Sequence, residues 1–161
     1  MLNLTTKGPT ERAEGKLSAS YANYDSYQLA GQFSNSINKQ LGYSVSVEQQ
    51  HSDGFINNAY LNRDDTNNID EFTGRFKLRY QPSDALTLQL VTHFTDQDNG
   101  YDAFSLDRNR TTLSDEPGQD KIRSKAVALQ ADYRGLPFAA VLAQLSYLTA
   151  DSDYGFDEDW S

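Results

Sequence analysis

The amino-acid sequence predicts an all-β protein in which about seven long strands follow one another as an antiparallel meander. Segments of about ten residues alternate between apolar and polar side chains, which is the period of a β-strand whose two faces have different surroundings. Turn-forming residues separate these segments. The 10 tyrosines and 8 phenylalanines, against one tryptophan, also favour strands.

The clearest predicted strand runs from Phe72 to Tyr80. Half-buried strands of soluble sheets alternate as well, so this strand alone does not separate a soluble protein from a membrane protein. One predicted face carries the apolar residues Phe72, Phe76, Leu78 and Tyr80, and the other carries the basic residues Arg75, Lys77 and Arg79.

The same alternation predicts six further strands, and two long polar segments without a period, about 51–68 and 96–120, are predicted as loops. After the first hairpin, short and long connections alternate, so the long loops share one end of the sheet. The six strands are predicted at residues 14–24, 27–34, 41–48, 86–94, 127–133 and 141–147.

Tight turns predict the register of two hairpins, because both partners must place their apolar side chains on the same face. Around Pro82, pairing Tyr80 with Leu86 places Leu78 beside Leu88. Both hairpins then form one apolar face. For the preceding hairpin the same rule predicts the pairs Ile37 with Leu41 and Phe33 with Val45.

Composition favours a transmembrane β-barrel over a helical membrane protein. Hydrophobic residues make up 37% of the chain, the mean hydropathy is -0.71, and no apolar run reaches the ~18 residues of a membrane helix. A strand of about 11 residues, rising roughly 3.3 Å per residue and tilted near 45°, spans the ~25 Å apolar band of a barrel. The sheet is therefore predicted as part of such a barrel, open and curved when the chain is considered alone.

Charge and cysteine content exclude several classes of function. The net charge of -9 argues against a nucleic-acid partner, and the absence of cysteine removes disulfides and thiolate metal sites. His51 and His93 lie far apart without carboxylates at ligand spacing, so no metal or cofactor is expected. No nucleophile with a base is seen, and the chain is not predicted to be an enzyme.

The acidic segment from Asp151 to Asp159 has two interpretations. Its alternating acids suggest a calcium loop, but Gly155 falls one position early for an EF-hand and no flanking helices are indicated. A solvated acidic loop is the preferred prediction.

Several segments together resemble TonB-dependent outer-membrane receptors. Residues 1–9 resemble the last plug strand and the plug-to-barrel junction of that family. The segments Gly54 to Asn58, Gly74 to Asp84 and Asp98 to Phe104 are similar to family segments in the same order. The resemblance covers nearly the whole chain and depends on the order and spacing of the segments rather than on one motif.

The resemblance implies that residues 1–10 end a plug domain and that residues 11–161 form the N-terminal part of a receptor barrel. It implies active uptake of a scarce ligand, such as a siderophore-like chelate, a corrinoid or an oligosaccharide, across the outer membrane of a Gram-negative bacterium. The implied partners are outer-membrane lipid, the remaining barrel and plug, the TonB system and a small-molecule ligand. A complete receptor barrel has about 22 strands, so the chain is interpreted as a fragment.

Two sets of residues are candidates for ligand contact. Tyr101, Asp102 and Phe104 are predicted to form a ligand-recognising loop, with loop packing as an equal alternative. Arg75, Lys77 and Arg79 are predicted to face the lumen, where they could pair with plug carboxylates, line a path for an anionic ligand or be part of a solvated wall.

Two other classes of protein stay open on sequence grounds. A soluble all-β carbohydrate-binding module would pack its apolar faces against each other. A small complete barrel of about eight strands, acting as a passive pore or adhesin, would need one further strand. The start of the chain, Met1 to Thr5, lacks the features of a secretory signal, which suggests either a cytoplasmic protein or a piece of a longer exported one.

Overall fold

The computed structural model describes residues 7–159, so most of the predicted plug junction, at residues 1–6, lies outside the described part. The described residues form one antiparallel sheet of seven strands that are neighbours in chain order, as the sequence predicted. The sheet is not closed, since β1 and β9 form its two edges. The strands are β1 (Glu14–Tyr21), β2 (Tyr27–Ser36), β3 (Leu41–Ser52), β4 (Asn57–Asn58), β5 (Ile69–Ser83), β6 (Leu86–Tyr101), β7 (Thr111–Thr112), β8 (Gly118–Tyr133) and β9 (Val141–Gly155); β4 and β7 lie outside the main sheet.

The two faces of the sheet differ in polarity, most clearly from β2 to β6, since the polar face also carries Ala126 and Leu148 in β8 and β9. We call them the apolar face and the polar face. Cross-strand pairing fixes their membership, because directly paired residues point to the same side. A typical row of the apolar face is Phe33, Val45, Phe76, Thr92, Val127 and Tyr147, and a typical row of the polar face is Gln32, Ser46, Arg75, His93, Ala126 and Leu148.

No second layer of protein covers the apolar face within residues 7–159. Leu17 and Leu145 are 89% and 74% exposed, and Ile56 is the only apolar side chain among the described residues that is buried. A soluble domain of this size would bury many such side chains. Further exposed members of this face are Tyr21, Leu29, Phe33, Val47, Leu129 and Tyr147.

The hairpin between β2 and β3 has the predicted register, with Phe33 opposite Val45. The hairpin between β5 and β6 does not. Tyr80 pairs with Leu88 instead of Leu86, because the turn is tighter than predicted, with Ser83 opposite Leu86, and a β-bulge between Tyr80 and Ser83 takes up one residue of β5. The difference is two positions, so every side chain stays on its predicted face.

Several strands are longer than predicted, and the loops between them are shorter than predicted. β6 continues to Tyr101 and β8 begins at Gly118, so the second long loop is confined to residues 102–117. The prediction of an acidic loop from Asp151 was wrong up to Gly155, which ends β9. The first strand is shorter than predicted and ends at Tyr21.

The apolar face becomes charged towards these added strand ends. The Arg123 guanidinium lies 3.0 Å from the Asp96 carboxylate, and the Lys121 ammonium lies 2.9 Å from Asp98. These ion pairs form one border of an apolar band. At the opposite border are Tyr43, Tyr80 and Tyr133.

The N-terminal segment of the described chain crosses the polar face. The Thr10 amide donates to Ser34 Oγ at 2.8 Å, and the Ser36 hydroxyl donates to the Thr10 carbonyl at 2.8 Å. Gly42 makes room for this segment, since an added Cβ would lie 2.9 Å from Pro9 Cβ.

Residues 7–159 contain no helix with the length and apolar character needed to traverse a bilayer.

Candidate ligand-recognition site at the loop end

Long connections gather at one end of the sheet, which we call the loop end. It comprises the turn at residues 22–26 and the loops at residues 53–68 and 102–117. The two loops pair with each other, because β4 lies parallel to β7 with Asn58 beside Thr112. The Ala59 amide donates to the Thr112 carbonyl at 2.9 Å, which extends this contact. The loops therefore form one joined unit.

Asp102 holds this unit together from inside. Its side chain is only 4% exposed, and its Oδ2 accepts hydrogen bonds from Asn58 Nδ2, Thr66 Oγ1 and Thr112 Oγ1 at 2.9, 2.8 and 2.8 Å. Asn58 also donates to the Ser114 carbonyl at 2.8 Å. In the structure Asp102 thus joins the two loops, and its contact with a ligand stays a prediction.

Tyr101 and Phe104, the other two predicted ligand residues, belong to an aromatic cluster. Tyr101 is the last residue of β6 rather than a loop residue, and its ring centre lies 6.0 Å from Phe104 and 5.2 Å from Tyr154. Phe156 lies 6.1 Å from Phe104. Tyr154 and Phe156 are about half exposed. The cluster therefore offers ring surface to solvent at the loop end of the polar face.

A second feature of the loop end is a cleft between the turn at 22–26 and the loop at 53–68, which we call the loop-end cleft. Its volume is about 620 Å³. The Phe55 and Tyr24 rings are 55% and 49% exposed, and Arg110 contacts both. The residues that line the cleft include Tyr24, Asp53, Phe55, Asn57, Asn62 and Asp64.

The three predicted basic residues share the polar face, as their alternation predicted. Lys77 Nζ donates to the Lys7 carbonyl at 3.0 Å, which ties β5 to the N-terminal segment. Arg79 Nε is buried and has no hydrogen-bond partner among the described residues. Arg75 and Lys77 border a cavity of about 310 Å³ beneath that segment. That these three residues face a lumen stays a prediction.

Within residues 7–159, no group of three or more His, Cys, Asp and Glu residues is arranged to hold a metal ion. His51 lies 3.5 Å from Asp53, and its ring is 5.1 Å from that of Tyr27. His93 shares a hydrogen bond of 3.1 Å with Thr95. Beside the cleft, a hydrogen bond from Arg63 lowers the pKa of Asp65.

Sequence reasoning missed the cleft because its parts come from distant segments. Arg110 lies far along the chain from Tyr24, yet its guanidinium donates to the Tyr24 hydroxyl at 3.0 Å. A weak sequence signal existed, since Tyr24 and Phe55 are aromatic residues placed among Asn, Asp and Gly, where turns are expected.

Comparison of the chain with protein-family models and with solved structures finds no match. The resemblance of the segments described above therefore remains the basis for any assignment to a family.

Proposed function

We propose that this chain forms the N-terminal part of the barrel wall of a TonB-dependent outer-membrane receptor that takes up a scarce ligand. The observation that carries the proposal is the uncovered apolar face of the sheet, opposite a polar face of equal extent. In a bilayer the first face contacts lipid and the second faces the interior of the barrel.

The extent of the apolar band supports a membrane environment. From Leu86 to Phe94, β6 rises about 26 Å at roughly 3.3 Å per residue. At the usual strand tilt this projects to about 20 Å, near the ~25 Å of an outer-membrane barrel. Tyrosines border the band at the turn end, and ion pairs such as Arg123 with Asp96 border it at the loop end. Aromatic and charged borders are typical of membrane interfaces.

The N-terminal segment supports the assignment of the polar face to the inside of a barrel. A chain that arrives from a plug must approach the wall from within, and residues 7–10 lie against the polar face through Ser34, Ser36 and Lys77. In a receptor, the basic side chains Arg75, Lys77 and Arg79 would then meet plug residues or an anionic ligand. The TonB system would supply the energy for transport.

A soluble carbohydrate-binding sandwich fits less well. Such a fold packs two sheets about 10 Å apart with their apolar side chains interdigitated, whereas these strands form a single layer with Leu17, Leu29 and Leu145 in the open. A small passive pore would require β1 to pair with β9, and both edges are open in the sheet.

A cysteine scan of residues 43–47 in β3 tests the proposal, because the chain has no cysteine of its own. Each single-cysteine variant of the full-length gene product is spin-labelled in lipid vesicles, and collision rates with oxygen and with a water-soluble nickel complex are measured. We expect high oxygen contact at positions 43, 45 and 47 and low oxygen contact at 44 and 46, since lipid dissolves oxygen well. Labels at 43, 45 and 47 that meet neither reagent, in a protein that stays monomeric in buffer, would contradict the proposal.

Energised transport is tested separately. Deleting the gene should lower uptake of a candidate ligand, and deleting TonB in the parent strain should lower it equally. Uptake that is lost with the gene but persists without TonB would identify a passive pore instead.

A further inference from the structure

We propose that the loop-end cleft binds a neutral oligosaccharide through Tyr24 and Phe55. This inference rests on the proposed function in one respect, since it narrows the ligand class for a site that would face the cell exterior. No predicted ligand residue lines the cleft, which lies apart from the cluster around Tyr101.

Two aromatic rings give the cleft its binding surface. Phe55 and Tyr24 are about half exposed although both are anchored, because Arg110 donates to the Tyr24 hydroxyl at 3.0 Å and its guanidinium lies 5.8 Å from the Phe55 ring centre. Ring faces of this kind bind the C–H surfaces of sugar rings, and rigid aromatics lose little conformational entropy on binding.

The polar rim suits hydroxyl groups better than a charged ligand. Asn57 and Asn62 offer amide donors and acceptors, and Asp53 and Asp64 offer acceptors. Arg63 is paired with Asp65 at 2.7 Å, and Asp25, Asp53 and Asp64 outnumber it as the charged residues of the lining. Carboxylates along the rim disfavour phosphates and other anions, while the mixture of donors and acceptors matches the hydroxyls of a sugar.

Four residues that line the cleft have positive backbone φ angles. Tyr24, Asp25 and Asn62 adopt φ values of 63°, 46° and 53°, in the left-handed region. Gly54 has φ of 87°, and a side chain there would collide with the Asn67 carbonyl. A bulky residue such as Tyr24 is rarely found in this region, and such strain is concentrated at functional sites.

The residues that line the cleft are held in place by buried neighbours and by backbone hydrogen bonds. Ile56 and Asn58, which flank Asn57, are both buried, and Asn58 is bound to Asp102 at 2.9 Å. The Asp53 amide donates to the Tyr24 carbonyl at 3.0 Å, which fixes the turn at 22–26 to the loop. A site held in its binding geometry loses less entropy when the ligand arrives.

Titration calorimetry with the full-length gene product in detergent tests the inference. The probes are maltopentaose, cellopentaose, xylopentaose, laminaripentaose and chitopentaose. At least one should bind, and Phe55→Ala should weaken it about tenfold, as the loss of one stacking contact of about 1.4 kcal/mol implies. Phe138→Ala is the matched control, since Phe138 is 84% exposed at the other end of the sheet, and it should bind like the parent protein.

Two further variants make the result specific. Tyr24→Gly removes a ring and relieves the strained φ, so it should weaken binding while the midpoint of thermal unfolding is kept or raised. Phe104→Ala tests the aromatic cluster as the alternative binding site. If Phe104→Ala abolishes binding and Phe55→Ala does not, the aromatic cluster is the site and the inference is wrong.

Binding by none of the pentasaccharides also overturns the inference. Membrane fractionation distinguishes failure of the oligosaccharide inference from failure of the proposed receptor function. A protein that binds a sugar through Phe55 but is absent from the outer membrane supports the cleft and contradicts the receptor. An outer-membrane protein whose Phe55→Ala variant binds normally contradicts sugar binding in the cleft and is compatible with the receptor.

Discussion

Asp102 illustrates how a single polar residue organises the loop end. Three side-chain donors from different parts of the two loops reach one carboxylate oxygen, which is buried. Hydrogen bonds to a charged group are stronger than neutral ones, and a buried donor that loses its acceptor incurs its full desolvation cost. Asp102 therefore contributes more to loop order than the exposed carboxylates around it.

Replacement of Asp102 by Ala should release the two loops while leaving the strands intact. Three donors would lose their acceptor, and at about 1.5–3 kcal/mol for each hydrogen bond to a charged group the local opening free energy should fall by several kcal/mol. Hydrogen exchange of the full-length gene product measures this. Amides within 53–68 and 102–117 should exchange faster, and those of β5 and β6 should not.

The control for this variant is Asp107→Ala, which removes an exposed carboxylate from the same loop. It should leave exchange unchanged. Loop protection in Asp102→Ala equal to that of the parent would show that backbone pairing of β4 with β7 suffices to hold the loops.

At the scale of elements, alternation predicted the centres of the seven strands of the main sheet but missed several of their ends. In β6 the apolar side chains of Leu88, Leu90 and Phe94 mark one face. Beyond Phe94 both faces are polar, so the period disappears while the hydrogen-bonded ladder continues to Tyr101. The end of β9 was missed for the same reason. Backbone pairing carries no sequence pattern once both faces meet water.

The loop end was predicted less well than the strands, because its contacts join residues far apart in sequence. Tyr101 and Phe104 were predicted as ligand-contacting loop residues. In the structure they belong to an aromatic cluster that also needs Tyr154 from β9. The pairing of Asn58 with Thr112 depends on backbone geometry that no local pattern encodes. Asp102 was singled out from its position, whereas its burial became visible only in three dimensions.

The bulge between Tyr80 and Ser83 leads to a prediction about strand register. Two residues separate Tyr80 from Ser83, whereas only Thr87 separates Leu88 from Leu86, so deleting Pro82 should give a regular ladder. All side chains keep their faces, and Gln81 can still donate to the Gln40 carbonyl, at 2.7 Å in the parent. The deletion variant of the full-length gene product should reach the outer membrane and resist protease like the parent.

Deletion of Thr92 from the middle of β6 is the matched control. It also removes one residue from this hairpin, but it turns half of β6 over and moves Leu88 and Leu90 to the polar face. This variant should be degraded. Equal protease resistance of both deletions would mean that register is not set by the polarity of the two faces.

At the scale of the whole molecule, residues 7–159 lack the internal core that stabilises a soluble domain. Its strands are joined by continuous ladders from β1 to β9, but the apolar face gains free energy only where something apolar covers it. Lipid can cover that face, whereas it cannot satisfy the open backbone groups of β1 and β9. Each unsatisfied group in hydrocarbon costs several kcal/mol, so in the proposed membrane setting both edges would need further strands.

The 161-residue chain by itself should therefore fail to insert stably into detergent micelles or lipid vesicles. Heat-modifiable migration in gel electrophoresis measures this, because a folded barrel resists unfolding in detergent until it is heated. The full-length gene product, refolded in the same detergent, is the control and should show the shift. A cooperative, heat-modifiable species from the 161-residue chain alone would mean that β1 and β9 find partners within it, as in a small closed barrel, and the edges would then no longer argue for a larger receptor wall.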